Sequence, residues 1–316
     1  MESATSTQVE RGVGAAPGAL TLVEPARSRS LAASVRDYVA LTKPRIISLL
    51  LLTTVATMFV ADPSGPALEL IAWTMLGGYL AAGGAGAINH YVDRHRDARM
   101  SRTRGRPLVA GRIEPRRGLV FGIALGMLAV IQLSLTVNGL AAALAAAGLL
   151  GYVFVYTIWL KPLTPQNIVI GGAAGAMPPL VGWAAATGTL TLDAIFPFAI
   201  VFLWTPPHFW ALSLLIKDDY ARTGVPMLPV VRGEAATRRQ ILAYALVLTV
   251  ATALPFATGL FGVPYLVAAL ALGAAFCGLA GRLLVSPSRK RALRLYLYSL
   301  AYLALLFTAM ALDRVF

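Results

Sequence analysis

The chain has 316 residues, of which 58% are hydrophobic and 13% are charged, and its mean hydropathy is +0.71. Soluble domains carry roughly 25% charged residues, so this composition excludes an ordinary soluble domain and indicates an integral membrane protein. The net charge of +13 does not indicate a nucleic-acid partner, because the basic residues fall in short stretches between apolar runs, as in cytoplasmic loops. The single cysteine, Cys277, excludes a disulfide framework.

The N-terminal segment differs in composition from the rest of the chain. Residues 1–30 are polar, rich in alanine, glycine and serine, and contain glutamates, so they lack the apolar core of a signal peptide. We predict a disordered cytoplasmic tail over 1–30. Over 31–42, the apolar residues Leu31, Val35 and Val39 share one helical face, which predicts an amphipathic helix lying on the membrane surface.

The remaining chain is dominated by long apolar windows. A helix needs about 20 mostly apolar residues to span a bilayer. Nine windows meet this requirement, at 45–61, 68–92, 118–136, 139–158, 166–187, 192–216, 240–260, 264–283 and 295–312. We therefore predict an all-α, polytopic membrane protein in which residues 31–316 form one domain of about nine transmembrane helices. Helix-breaking glycines and prolines at 171–179 and 205–207 predict interruptions that line a cavity.

The connections between the windows alternate in charge. Four of them are basic, at 93–117, 159–165, 217–239 and 284–294. Four others contain no lysine or arginine, at 62–67, 137–138, 188–191 and 261–263. With a cytoplasmic N-terminus, this alternation leaves Arg314 as the only one of the 27 lysines and arginines outside the cytoplasmic side. The basic loops are therefore predicted to be cytoplasmic.

A stripe of polar residues ends the second window. Asn89, Asp93 and Asp97 are spaced four apart, so on a helix each is rotated by only about 40° from the one before. Hard cations such as Mg²⁺ bind through one or two carboxylates together with substrate phosphates. The stripe predicts such a site. The alternative is that both aspartates are solvated helix-end groups paired with Arg94 and Arg96.

A second acidic cluster, Asp218 and Asp219, follows the sixth window, beside Lys217. Because the second and sixth windows end on the same predicted face, the two clusters can meet across one cavity. His208 precedes Asp219 by eleven residues, which returns it to nearly the same helical face. We predict a pocket wall that is polar at its mouth and apolar within. A buried, hydrogen-bonded histidine is the alternative for His208.

Cationic side chains surround both clusters. Guanidinium groups recognise phosphate oxygens in a bidentate manner. We predict that diphosphate is bound by Arg102, Arg106, Lys161 and Lys217. We predict metal ligands at Asp93, Asp97, Asp218 and Asp219, with Asn89 as a hydrogen-bond partner in the catalytic site. The residues by themselves thus indicate a membrane enzyme that handles a metal-bound anion.

The order of these motifs resembles the UbiA-type intramembrane prenyltransferases, and within them the branch that modifies heme. The resemblance begins near Leu41 and rests on Leu41-Thr42-Lys43-Pro44-Arg45, Asn89-x-x-x-Asp93-x-x-x-Asp97-x-x-Met100-x-Arg102-Thr103-x-x-Arg106-Pro107, Leu160-Lys161-x-x-Thr164-Pro165-Gln166-Asn167, Gly171-Gly172-Ala173-Ala174-Gly175-Ala176, Trp204-Thr205-Pro206-Pro207-His208-Phe209-Trp210, Lys217-Asp218-Asp219-Tyr220 and Gly224-Val225-Pro226-Met227-Leu228-Pro229. The wider superfamily has a second aspartate-rich repeat, where this chain has a histidine followed by two aspartates.

The resemblance implies a UbiA-like helical bundle, Mg²⁺ as cofactor, farnesyl diphosphate as prenyl donor and protoheme IX as acceptor. Farnesyl transfer to a heme vinyl group with addition of water would give heme O and diphosphate, and His208 becomes a candidate heme-binding residue. The resemblance also implies a multi-pass protein of the bacterial inner membrane. Heme A synthase or oxidase assembly factors are then candidate protein partners, and no nucleic acid is expected.

Three other functions fit the sequence less well. A transporter or channel should place polar groups along a path to the far side, but the outer halves of the windows carry almost none. A prenyltransferase with a quinone-type aromatic acceptor is the second alternative, and the altered second motif favours heme over it. A purely structural partner of an oxidase would leave both acidic clusters without a purpose.

Overall fold

The structure, a computed structural model, describes residues 30–316, so the predicted tail lies outside the described residues except for Ser30. Fourteen α-helices are present in this part of the chain. They are α1 Leu31–Thr42, α2 Pro44–Ala61, α3 Leu68–Asp97, α4 Pro115–Thr136, α5 Gly139–Leu150, α6 Lys161–Leu163, α7 Asn167–Gly175, α8 Met177–Thr187, α9 Ile195–Leu215, α10 Lys217–Thr223, α11 Leu228–Val231, α12 Gly233–Ala257, α13 Val263–Val285 and α14 Arg289–Val315. A π-helix, Gly151–Leu160, joins α5 to α6, and a short 3-10 turn, Leu192–Ala194, precedes α9.

Nine helical segments within residues 30–316 are long and apolar enough to cross a membrane, which confirms the nine predicted windows. They are α2, α3, α4, α5 with the π-helix and α6, α7 with α8, the 3-10 turn with α9, α12, α13 and α14. α14 packs against both α2 and α9, so the last span closes the bundle onto the first. The helix predicted over 31–42 is confirmed as α1, and Ser30 accepts a hydrogen bond from the backbone of Ala33 at its start.

The two predicted interruptions have different outcomes. The fifth span is broken where predicted, because α7 ends at Gly175 and α8 begins at Met177, with two prolines in the first turn of α8 where no amide donor is needed. α9 instead continues through Pro206 and Pro207. The Thr205 hydroxyl donates to the Val201 carbonyl, 2.8 Å away. Backbone groups freed by proline are tolerated in a span when neighbouring side chains and helices satisfy or bury them.

Two charged residues at the end of the bundle opposite the acidic clusters bind backbone groups at helix ends. Asp313 accepts hydrogen bonds from the backbone amides of Gly262 and Tyr265, 2.7 and 3.0 Å away, at the start of α13. Arg314 donates to the carbonyls of Val60 and Leu260. These contacts give both residues a structural role at the ends of α2 and α13 and in the turn before α13.

Close packing of α3 on α4 depends on glycine. A Cβ at Gly84 would lie 2.7 Å from the carbonyl oxygen of Gly122 and 2.9 Å from the backbone nitrogen of Gly126. We expect Gly84→Ala to destabilise the protein by about 1–3 kcal/mol, because backbone atoms must move apart. Gly281→Ala is the matched control, since nothing lies within 4 Å of its Cβ position. Thermal unfolding in detergent checks this, and equal melting temperatures for the two variants would contradict it.

Candidate active site

The polar stripe lies in the last turns of α3, and its members are buried. Asp93 is 1% exposed, and Asn89 and Asp97 are each 4% exposed. The Asn89 amide donates to Asp93 Oδ2, 2.8 Å away, and to the Thr157 hydroxyl, 3.2 Å away. The amide therefore fixes the orientation of the first carboxylate and connects α3 to the π-helix.

Both carboxylates of the stripe are neutralised by cations from several segments. Lys161 Nζ lies 2.5 Å from Asp93 Oδ2, and Arg96 Nη1 lies 3.2 Å from Asp93 Oδ1. Arg106 Nη1 lies 2.6 Å from Asp97 Oδ2. The alternative described both aspartates as solvated helix-end groups, and this part of it is wrong because both are buried. Arg96 does pair with Asp93, whereas Arg94 donates to the Tyr91 carbonyl.

Lys43 also belongs to this cluster, although it was absent from the predicted site residues. Its Nζ donates to Asn89 Oδ1, 2.7 Å away, and lies 5.9 Å from the centre of the Tyr152 ring. Lys43 joins α1 to α2 with a φ of +59°, the only positive φ at a non-glycine residue within 30–316. A residue before proline favours extended backbone, so this conformation costs about 1–3 kcal/mol. The sequence signal was the Thr42-Lys43-Pro44 junction.

The environment of Lys43 makes its charge adjustable. Burial of the amino group lowers the pKa of Lys43 to about 7, and the positive charges of Arg106 and Lys161 act in the same direction. Asp93 and Asp97 oppose this effect without cancelling it. The residue as a whole keeps some exposure, so a proton can reach the amino group when an anion arrives.

The π-helix and the residue that follows it bring two side chains to the stripe. Its Thr157 hydroxyl donates to the Tyr152 carbonyl five residues earlier, 2.8 Å away, and accepts the hydrogen bond from Asn89. Lys161 follows directly in α6. A π-helix changes the rotation between successive residues, and such segments are frequent at functional sites. The sequence predicted a plain helix here, because apolar periodicity does not distinguish the two.

The second acidic cluster meets the first at the same end of the bundle. Asp219 is buried and accepts hydrogen bonds from the Ser101 backbone amide at 3.3 Å and from its hydroxyl at 3.1 Å. Ser101 follows Asp97 by four residues, so the loop after α3 is attached to α10. Burial raises the pKa of Asp219, but the hydrogen bonds from Ser101 and Arg222 outweigh it and hold the pKa below its usual value. The Asp219 carboxylate therefore remains ionised.

Three other predicted residues make no ion pair with the buried carboxylates within residues 30–316. Asp218 is exposed. Lys217 Nζ lies 3.2 Å from Glu234 Oε1 in a partly exposed pair, so it makes no ion pair with either acidic cluster. Arg102 is exposed and has no hydrogen bond or ion pair with any residue from 30 to 316. Its guanidinium is therefore available to an incoming anion, whereas Lys217 must first leave Glu234.

The donor set fits a hard cation that is shared with a ligand. Within the described part of the chain, no group of three or more histidine, cysteine, aspartate or glutamate side chains is placed to hold a metal ion by itself. The predicted four-carboxylate set is thus not assembled as a protein cage. Mg²⁺ usually binds one or two carboxylates plus substrate phosphates and water. Asp93 and Asp97 on one side and Asp219 on the other supply carboxylates of this kind.

His208 lies deeper in the bundle than the acidic clusters. It precedes the end of α9 by seven residues, which corresponds to roughly 10 Å along the helix axis. Its Nδ1 lies 2.7 Å from the Ser299 hydroxyl of α14. The alternative interpretation, a hydrogen-bonded interior histidine, is therefore correct for one of its two ring nitrogens.

Fold and site together define an intramembrane helical protein with buried carboxylates and paired cations gathered at one end of its bundle. The chain belongs to the UbiA prenyltransferase family, whose model matches residues 50–307. This confirms the resemblance found in the sequence. The fold agrees with that of a digeranylgeranylglyceryl phosphate synthase (TM-score 0.74, 16% identity, 90% of this chain and 99% of that one). It also agrees with a UbiA homologue from Archaeoglobus fulgidus bound to DMAPP and Mg²⁺ (TM-score 0.65, 15% identity, 87% and 99%).

Curated relatives are much more similar in sequence. A protein of Symbiobacterium thermophilum named protoheme IX farnesyltransferase is 56% identical over 281 residues, which cover 88% of this chain and 94% of that protein. A protein of the same name from Teredinibacter turnerae is 49% identical, with 88% and 89% covered. The protein of that name from Roseiflexus sp. is 53% identical over 89% of this chain, but this chain spans only 53% of its length. The chain thus spans about half the length of some of its relatives.

Proposed function

We propose that the protein transfers the farnesyl group of farnesyl diphosphate to a vinyl group of protoheme IX, giving heme O and diphosphate. The proposal is supported by the relatives named protoheme IX farnesyltransferase, which align with nearly the whole described chain. The observation that carries it is the buried Asn89–Asp93 pair, which lies among Lys43, Lys161 and Arg106 at the mouth of an apolar bundle. Such a centre suits a diphosphate whose prenyl tail enters the bundle.

The reaction breaks the bond between farnesyl C1 and the diphosphate oxygen. The terminal vinyl carbon of heme then forms a bond to C1, a water oxygen adds to the inner vinyl carbon, and one proton is released. Negative charge develops on the leaving diphosphate, where Lys161, Arg106 and Lys43 stabilise it electrostatically. Arg102 can approach from the exposed side of the same loop. These side chains already lie at the site, so little reorganisation is needed.

Mg²⁺ is the proposed cofactor, with Asp93, Asp97 and Asp219 as its protein ligands and the exposed Asp218 as a further candidate. When bound, Mg²⁺ supplies Lewis-acid neutralisation of the leaving diphosphate. The ion pairs of Asp93 with Lys161 and of Asp97 with Arg106 hold these carboxylates in position without metal. The same cations can turn to phosphate oxygens once the carboxylates take up a cation.

The bundle interior would control water. A farnesyl cation formed beside bulk water would be quenched before it reached the vinyl group, so the site has to limit solvent access. The rings of Tyr152 and Tyr156 pack against each other beside the stripe, with centres 5.4 Å apart and planes tilted by 32°. Partly buried aromatic side chains of this kind present an apolar surface to the prenyl tail while the charged residues stay at the mouth.

The proposed location is the bacterial inner membrane, with the N-terminus and the site-bearing loops in the cytoplasm. The charge alternation of the connections supports this orientation. A cytoplasmic mouth would receive the water-soluble diphosphate head of the donor directly. Heme A synthase or oxidase assembly factors remain candidate partners, because a poorly soluble heme product is best passed on within the membrane.

The test is product formation by the purified full-length chain in lipid nanodiscs. We expect farnesyl diphosphate, protoheme IX and Mg²⁺ to yield a heme whose mass increases by one farnesyl group and one hydroxyl group. Omitting Mg²⁺ and adding a chelator should abolish the product, which tests the cofactor separately. Supplying a quinone-type aromatic acceptor in parallel tests the alternative, and its prenylation in place of heme would refute the proposed acceptor.

Lys43 predicts a specific pH dependence of diphosphate binding. Above pH 7 the lysine, with its pKa near 7, is mostly neutral in the free protein, and a bound diphosphate favours its charged form. Binding should therefore take up a proton, and affinity for Mg²⁺-pyrophosphate should fall as pH rises from about 7 to 9. Calorimetry in buffers of different ionisation enthalpy measures this uptake. An arginine at position 43 stays protonated over this range, so Lys43→Arg should bind Mg²⁺-pyrophosphate without this pH dependence. If the variant keeps the pH dependence of the wild type, Lys43 is not the group that takes up the proton.

A further inference from the structure

A second cavity lies beside the acidic site, where the fifth, sixth and seventh spans meet. It has a volume of about 150 Å³ and is enclosed by the start of α7, the last third of α9, the short helix α11 and the first half of α12. One water needs only about 10–15 Å³, so the cavity has room for a group of several atoms. Among the described residues that line it, none belongs to the acidic site. The cavity is therefore a separate feature at the same end of the bundle.

Polar side chains in the wall of this cavity have no partner in the described part of the chain. The Trp210 side chain is 2% exposed, and its indole nitrogen is buried without a hydrogen-bond partner within residues 30–316. A buried indole N–H usually has a partner. The side chains of Gln166, Arg232 and Gln240 likewise make no hydrogen bond or ion pair with any described residue. Four donor side chains of one cavity are thus available to a ligand that brings oxygen acceptors.

The wall of the cavity carries one positive charge. Arg232 is exposed, and no carboxylate belongs to the described residues of the wall. Glu234, the acidic residue nearest to it along the chain, pairs instead with Lys217 and Arg238. Guanidinium groups bind phosphate oxygens in a bidentate manner. One cation with several neutral donors suits a singly charged phosphate diester, whereas a Mg²⁺-bound diphosphate requires carboxylates.

An exposed apolar surface continues from the cavity into the membrane-spanning part of the bundle. On α7, Ile170 lies one helical turn beyond Gln166 and is 51% exposed. On α12, Val247 lies two turns beyond Gln240 and is 52% exposed. Residues at these spacings share a helix face. Pockets for larger small molecules have volumes of about 300–1,000 Å³, so this cavity suits the headgroup of a lipid better than a macrocycle such as heme.

We infer that this cavity binds the headgroup of an anionic phospholipid, with Arg232 on the phosphate and the acyl chains along Ile170 and Val247. Basic pockets between transmembrane helices on the cytoplasmic side are known binding places for such headgroups. The Trp210 indole and the amides of Gln166 and Gln240 donate to the remaining phosphate and glycerol oxygens. A bound lipid joins α7, α9 and α12 and therefore stabilises the folded bundle.

The experiment uses the full chain purified in detergent and titrated with phosphatidylglycerol, with bound lipid counted by native mass spectrometry. We expect wild type to bind phosphatidylglycerol roughly 10-fold more tightly than phosphatidylcholine, and Arg232→Gln to lose this preference. Arg239→Gln is the matched control, because Arg239 is an exposed arginine of the same helix that does not line the cavity. It should keep the wild-type affinity. Trp210→Phe keeps a ring but removes the N–H, and it should weaken phosphatidylglycerol binding roughly 3-fold or more.

Equal affinity of wild type for the two lipids would overturn the inference. Equal losses in Arg232→Gln and Arg239→Gln would also overturn it, because they would show general attraction between charges. Pyrophosphate and protoheme IX are added as competitors, and neither should displace phosphatidylglycerol. Displacement by either compound would assign the cavity to a substrate and refute the lipid.

Thermal unfolding is the second measurement. A ligand that binds only the folded protein raises its melting temperature, so phosphatidylglycerol should stabilise wild type and Arg239→Gln more than Arg232→Gln. The same rise in all three proteins would count against a headgroup held by Arg232.

Discussion

Asp93→Asn is expected to lower farnesyl transfer by at least about 10³-fold, which corresponds to roughly 4 kcal/mol of transition-state stabilisation. The amide keeps the size of the side chain but cannot hold a cation with the same strength. It also removes the counter-charge of Lys161 and Arg96, which contact the two carboxylate oxygens. Lys161 is then left to repel the Mg²⁺ that is proposed to bind with the leaving diphosphate.

The measurement is the initial rate at which farnesylated heme forms, followed by mass analysis. The thermal unfolding of each variant is measured alongside it. Asp62→Asn is the matched control, since Asp62 follows α2 at the opposite end and contacts only Ser64 through its side chain among the described residues. Lys161→Met added to Asp93→Asn should recover thermal stability, because the uncompensated buried charge is gone. It should not recover turnover. Near-wild-type turnover by folded Asp93→Asn protein would refute the role of this carboxylate.

Asp219→Asn and Asp218→Asn are expected to impair the enzyme in different ways. Asp219 anchors the loop after α3 through two hydrogen bonds from Ser101, so its replacement should lower turnover about 10²-fold or more and release that loop. Asp218 is exposed and anchors nothing comparable. Its replacement should leave the loop ordered and raise the Mg²⁺ concentration needed for half-maximal rate.

Hydrogen exchange of residues 98–114 separates these two effects. Faster exchange in Asp219→Asn with wild-type exchange in Asp218→Asn is the expected result, because only the buried carboxylate contacts the loop. Ser101→Ala is the control for the anchor, since it removes the hydroxyl bonds while keeping both aspartates. If residues 98–114 exchange at the wild-type rate in Asp219→Asn as well, Asp219 does not hold the loop. A Mg²⁺ requirement unchanged in Asp218→Asn would exclude that residue as a ligand.

Local properties of the chain were sufficient for several of these conclusions. The length of each apolar run determines whether a helix can cross a bilayer, so the nine spans follow from composition over about 20 residues at a time. The four-residue spacing of Asn89, Asp93 and Asp97 determines that they share a helix face. Neither property depends on how the helices pack. The motif order likewise indicated the family, because it depends on the sequence alone.

Contacts between distant segments could not be obtained in this way. Lys43 reaches Asn89 only because α1 and α2 meet beside the end of α3, and its left-handed backbone is imposed by that junction. Asp219 is buried while the adjacent Asp218 is exposed, because neighbouring residues on α10 point in different directions. The sequence predicted both aspartates as metal ligands without distinguishing them. Lys217 was predicted at the diphosphate site, yet its nearest acidic partner, Glu234, comes from α12.

The sequence by itself therefore determined the membrane class, the number of spans, the family and one face of the acidic site. Tertiary structure decided which carboxylates are buried, which cations reach them, and that His208 Nδ1 meets the Ser299 hydroxyl. The physical reason is range. Helix formation and amphipathicity act over three to four residues, whereas ion pairing, stacking and hydrogen bonding between spans depend on the rotation and depth of each helix, which are fixed only when all of them pack.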